Sequence, residues 1–127
     1  RLGEKVGMYR YLDGVWKPDD FSHEQSLVFE AERGLVICNS CCHAGADHII
    51  EEAKQTFPGE KVCALIGGLH LYKASDEEVL ALADKIRKTG IERVYTGHCT
   101  GERAMELLKR ELGDMVMQIY TGMEMEI

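Results

Sequence analysis

The chain has 127 residues, 45% hydrophobic and 29% charged, a balance that fits one globular domain and excludes a disordered chain. With 15 Lys and Arg against 22 Asp and Glu, the formal charge is −7, which excludes a nucleic-acid module relying on bulk positive charge. The longest nearly uncharged apolar run, Val62 to Leu69, is far short of the roughly 20 residues of a membrane span, so neither nucleic acid nor membrane is expected as a partner.

Residues 1–25 read as a poorly defined lead-in. Val6, Met8, Tyr9, Tyr11, Val15 and Trp16 are mixed with Gly3, Gly7, Gly14 and Pro18, which predicts at most one short strand and a loop. The opening residues lack the basic-then-apolar pattern of a secretory signal, and the first residue, Arg1, fits a piece of a longer polypeptide or a processed product. From Ser26 the pattern sharpens. Ser26–Ala31 and Leu35–Cys38 are apolar runs joined by Glu32-Arg33-Gly34, which predicts a β-hairpin. Ala44 to about Thr56 fits a helix with Ile49, Ile50 and Ala53 on one face, stopped by Pro58-Gly59. Val62–Ile66 reads as a short buried strand.

Asp76–Thr89 carries the clearest helical stripe: Val79, Leu80, Ala83 and Ile86, widened by Leu82. Ser75 and Glu78 form a predicted capping box, and Gly90 stands at the C′ position. Ile91–Tyr95 is another strand, Gly101–Leu112 a third amphipathic helix, and Val116–Tyr120 a last strand. The order predicts a single α/β unit, a hairpin followed by βα repeats, with strands running parallel and right-handed crossovers.

Three histidines fall at equivalent points of this map. His43, His70 and His98 each lie just beyond an apolar strand and before a helix, 27 and 28 residues apart by subtraction of their numbers. Parallel neighbouring strands would bring all three to one sheet edge, where open α/β sheets bind ligands. Glycines flank each of them and permit tight turns and close approach. Any one alone reads as a turn residue bonded to backbone. Three in repeating positions read as metal ligands, with zinc, then iron or manganese, as the metals that suit imidazole. His23 and His48 lack this context.

Five cysteines, Cys38, Cys41, Cys42, Cys63 and Cys99, two of them adjacent, do not resemble a secreted disulfide framework and suggest a reducing, cytoplasmic setting. Cys38 and Cys41 are formally C-x-x-C, yet His43 intervenes before the helix, so a thiol redox protein ranks last among the function classes. Cys41 and Cys42 read first as packing or metal-supporting residues and second as metal-reactive thiols, Cys63 as core, and Cys99 as a residue beside His98 that could lie near a metal without binding it.

The segments Cys-Cys-His-Ala-Gly (41–45), Gly-Gly-Leu-His-Leu (67–71) and Gly-His-Cys-Thr-Gly (97–101) resemble the C-terminal half of the metallo-β-lactamase superfamily. The similar branch has Cys-Ser-His-Ala-Gly, Gly-Gly-Phe-His-Leu and His-Cys-Thr-Gly motifs and includes proteins assigned to dihydropterin and ribofuranosyl-aminobenzene phosphate chemistry. Glu24-Gln25-Ser26-Leu27 at the hairpin entry fits it too.

The resemblance implies half of an αββα sandwich, residues 1–127 forming one partial domain, and a metal-dependent hydrolase with two zinc ions per complete site. His43 would complete the first metal site, His98 would serve the second, and His70 would stand where many relatives carry a bridging aspartate. Cys42, Cys99 and Thr100 would lie behind the ligands or on the substrate side, with the backbone of Thr100-Gly101 facing an anionic group, or with Thr100 acting as a plain N-cap. A metal-activated water would attack an ester, amide or phosphoester of a small molecule. The family's His-x-His-x-Asp-His motif is absent from these residues. The implied partner is therefore a missing N-terminal half or a second copy, and the alternative function is a non-catalytic metal-binding or interaction fragment.

Overall fold

The computed structural model describes residues 2–127. Its centre is a five-stranded sheet in chain order: β3 (Leu27–Ala31), β4 (Gly34–Cys41), β5 (Val62–Gly68), β6 (Arg93–Thr96) and β7 (Val116–Gln118). Ahead of it stand α1 (Leu2–Val6), β1 (Tyr9–Leu12) and β2 (Val15–Pro18). β3 and β4 pair antiparallel, and every later neighbour pairs parallel, so the sheet is mixed as expected.

Three helices make the crossovers: α2 (Ala46–Thr56), α3 (Asp76–Thr89) and α4 (Glu102–Leu112). Their apolar stripes share one core with Leu35, Ile37, Leu65, Val94 and Val116 of the sheet, and α3 packs against both α2 and α4. The α3 ends are those expected from its sequence. Ser75 and Glu78 close the capping box, and Gly90 adopts a left-handed φ of 78°. The sheet's second face carries a smaller core of Val36, Cys63, Ala64 and Tyr95. Ile119, Met123, Met125 and Ile127 of the chain's last segment pack over it.

Two sequence expectations need correction. The lead-in is ordered into α1 and a two-stranded hairpin, with Asp13 and Gly14 both at positive φ, 52° and 78°. Asp-Gly at a two-residue turn is a strong hairpin signal, obscured here by the surrounding glycines. β4 runs past Cys38 to Cys41, because the polar Asn39 is held inside by its amide donating to Ser26 Oγ at 2.8 Å. The other strands and helices match within a few residues, and the differences lie at their ends.

Candidate metal centre

The carboxyl ends of β4, β5 and β6 lie side by side, and each turns into a loop bearing one of the three histidines. Gly67 and Gly68 let the middle strand approach its neighbours. A Cβ on Gly67 would collide with the Asn39 carbonyl, and one on Gly68 with the Cys99 sulfur. The loops are then tied together. Leu69 N–H donates to Thr100 Oγ1 at 3.0 Å, and the Leu71 and Tyr72 N–H groups donate to the Cys99 carbonyl at 3.0 and 3.2 Å.

His43 is fixed from two sides. Its ring stacks on Phe21 with centroids 4.2 Å apart and an interplanar angle of 10°. Glu24 Oε1 accepts from the His43 backbone N–H at 2.8 Å and from Nδ1 at 3.1 Å, while Oε2 accepts from the Ala44 N–H at 3.0 Å. A carboxylate oxygen can only accept, so Nδ1 carries a proton, and in the neutral ring that tautomer leaves the lone pair on Nε2. Nε2 is buried and has no hydrogen-bond partner among the described residues.

His70 sits 4.5 Å from His43, ring to ring, and meets Tyr72 edge-on at 5.3 Å. Its Nδ1 is likewise buried without a partner. Burial first, then the His43 ring and Lys73, hold His70 below the usual histidine pKa, which favours its uncharged form. Ligand atoms of Cys41, His43 and His70 lie within 4.8 Å of one another.

The other candidates are placed differently. His98 is exposed, at φ 51° in the short 3-10 turn His98–Thr100, and is not among the three converging donors. Cys99 points back instead, its thiol donating to Cys41 Sγ at 3.3 Å. Burial and the neighbouring Cys41 push the Cys99 thiol up to about 11. Cys42 is 3% exposed within the helical core, and burial, then Glu24, push its thiol up to about 12. Thr100 is not an N-cap. It is fully buried, shares a 2.6 Å hydrogen bond with Thr96 Oγ1, and braces the His70 loop through Leu69. Gly101 caps α4 with no side-chain bond. His23 and His48 are both exposed.

Phe21 and Glu24 reach the site although the spacing argument did not place them there, and Cys41 converges with the two imidazoles. Glu24 lies 19 residues upstream of His43, and only tertiary packing brings it to the ring. Beside the imidazoles lies a cleft of about 360 Å³, lined by Leu71, Tyr72, Lys73 and Leu82 among others.

The chain is 36% identical to a solved metal-dependent hydrolase of the beta-lactamase superfamily, with a TM-score of 0.85 over 94% of this chain and 46% of that one. The resemblance to the metallo-β-lactamase superfamily, in motif and in fold, is thereby borne out. A second relative belongs to the branch whose motifs the chain resembles. Over 117 residues the chain is 29% identical to a 7,8-dihydropterin-6-methyl-4-(beta-D-ribofuranosyl)-aminobenzene-5'-phosphate synthase of Methanocaldococcus jannaschii, covering 92% of this chain and 40% of that protein. The chain thus spans less than half the length of each relative. No family model matches it.

Proposed function

We propose that this chain supplies metal ligands to a metal-dependent hydrolase whose small-molecule substrate enters the cleft beside His43 and His70. The observation that carries this reading is a pair of buried imidazole nitrogens without partners among the described residues, His43 Nε2 and His70 Nδ1, on the two rings that converge with the Cys41 thiol. Buried polar atoms are satisfied as a rule, so two orphans beside a thiol favour a bound cation. Zinc suits a mixed imidazole and sulfur set, and iron or manganese would suit the imidazoles. Bound here, the metal would supply Lewis-acid polarisation of an ester, amide or phosphoester and acidify an attacking water.

The chain's own residues prepare that chemistry. Glu24 fixes the proton of His43 on Nδ1, and Phe21 holds the plane of the ring. Burial favours the uncharged form of His70, the form that can donate a lone pair to a metal. Lys73, at 5.3 Å from the Tyr72 ring, places positive charge at the cleft, where an acidic substrate would be attracted. His98, exposed at the same sheet edge, is assigned to a second metal. Its remaining ligands come from outside these 127 residues, because the His-x-His-x-Asp-His motif is not among them. The same absence makes residues 1–127 a partial domain that requires further chain, from its own polypeptide or a second copy.

The test is metal content per chain on the protein in its full encoded length. The expected result is stoichiometric metal in the wild type and its loss in His43→Ala. Unchanged metal content in that variant overturns the assignment. A second reading, an interaction fragment without turnover, is favoured by the short span of the relatives that the chain matches. Metal uptake with no hydrolysis of an ester, amide and phosphoester panel would select it.

A further inference from the structure

Cys41 and Cys99 are 58 residues apart in sequence, yet their sulfurs lie 3.3 Å apart. The contact has a structural cause. Cys41 pairs with Gly68 in the parallel ladder, and the space that a side chain at Gly68 would fill holds the Cys99 sulfur. The two thiols therefore meet across the glycine of the middle strand. Both are half-buried, within reach of small solutes. The remaining cysteines are set apart. Cys42 and Cys63 are buried, Cys63 donating to the Leu35 carbonyl at 3.2 Å, and Cys38 packs against the sheet's second core. The pair is also not the C-x-x-C of the sequence, which would join Cys38 to Cys41.

We propose that Cys41 and Cys99 form a reversible disulfide that competes with the metal for the Cys41 sulfur. The oxidant is a low-molecular-weight disulfide. The Cys41 sulfur, as thiolate, attacks one of its sulfurs, a mixed disulfide forms, and the first small thiol leaves. The Cys99 sulfur then attacks Cys41, the protein disulfide forms, and the second small thiol leaves. The two cysteine protons end on the two released thiols, and two electrons pass from the protein to the oxidant. A contact of 3.3 Å must shorten to the roughly 2.05 Å of a covalent bond, a movement of about an ångström in side chains at loop ends.

A thiolate ligates metal and a disulfide sulfur does so poorly, so oxidation removes one of the three converging donors. By linkage, bound metal must protect the pair from oxidation. This competition rests on the metal reading above, whereas the disulfide itself does not.

The experiment treats the full-length protein with oxidised glutathione, with and without zinc, followed by trypsin and mass spectrometry. Cleavage after Arg33, Lys54, Arg93 and Arg103 yields peptides 34–54 and 94–103. The expected product joins these two with loss of two hydrogens, is undone by dithiothreitol, persists in Cys38→Ser and Cys42→Ser, and is lost in Cys41→Ser and Cys99→Ser. Zinc should slow its formation by about tenfold. No joined peptide, or one that survives Cys41→Ser, overturns the disulfide. An unchanged rate with zinc demonstrably bound overturns the competition. A reduced protein that takes up no zinc overturns the metal reading, and the joined peptide then judges the thiol pair by itself.

Discussion

The two faces of the central sheet are completed in opposite ways. One is covered by α2, α3 and α4, whose stripes bury Leu35, Ile37, Leu65, Val94 and Val116. Among the described residues the other buries Val36, Cys63, Ala64 and Tyr95, and is covered by the non-helical stretch ending in Met123, Met125 and Ile127. Regular helices fill a face with interlocking side chains at close to crystal density. A stretch without helix or strand, rich in flexible methionine, covers it with side chains that are only partly buried. The difference assigns stability to one face and leaves the other adaptable.

The largest test of this contrast is truncation. Leu65→Ala and Leu108→Ala, both fully buried on the helical side, should each cost about 2–5 kcal/mol in urea unfolding. Met125→Ala, half-buried on the other side, should cost about 1 kcal/mol or less. Equal costs would erase the distinction between the faces.

The next effect sharpens the comparison at the sheet edge. Glu24→Gln keeps an acceptor near His43 but loses the charge, and should weaken zinc binding by about 10–100-fold against a chromophoric chelator. Ser75→Ala removes the α3 cap, and the melting curve should register about 1 kcal/mol.

The smallest effect is one of pH. Lys5 first, then the Ser75 backbone, hold the Glu78 carboxyl below its usual 4.5. Its contribution is therefore complete above about that pH and fades as the pH falls through the lower folded value. Glu78→Gln should flatten the acid limb of the stability profile slightly. An unaltered limb would show that the link from α1 to α3 carries nothing.

The helical side was legible in sequence because its signals are local. In α3 the capping residues, the stripe and the terminal glycine lie within a run of sixteen positions, Ser75 to Gly90, and agree with one another. The convergence of His43 and His70 was legible for a related reason, since βα repeats convert sequence spacing into a shared edge, whereas His98 lies at that edge but outside the cluster. What was not legible is what reaches that edge from elsewhere. Phe21 and Glu24 belong to the lead-in, and no periodicity connects them to His43. Cys41, at the end of β4, and Cys99, in the turn after β6, meet where Gly68 leaves room for the Cys99 sulfur. The β1–β2 hairpin carried its signal in Asp13-Gly14 but has no amphipathic stripe to reinforce it. Its Tyr11 and Trp16 are 62% and 67% exposed.

The backbone at His70 and His98 has a consequence for anyone who would improve this molecule. Both residues hold left-handed conformations, φ 52° and 51°, that a side chain tolerates at a cost of roughly 1–2 kcal/mol. Glycine at either position would relax that strain. Laboratory selection for heat resistance alone would thus reward His70→Gly and His98→Gly, enriching hardier proteins stripped of the imidazoles at the sheet edge. A library made from this gene needs a screen that reads bound metal alongside melting temperature.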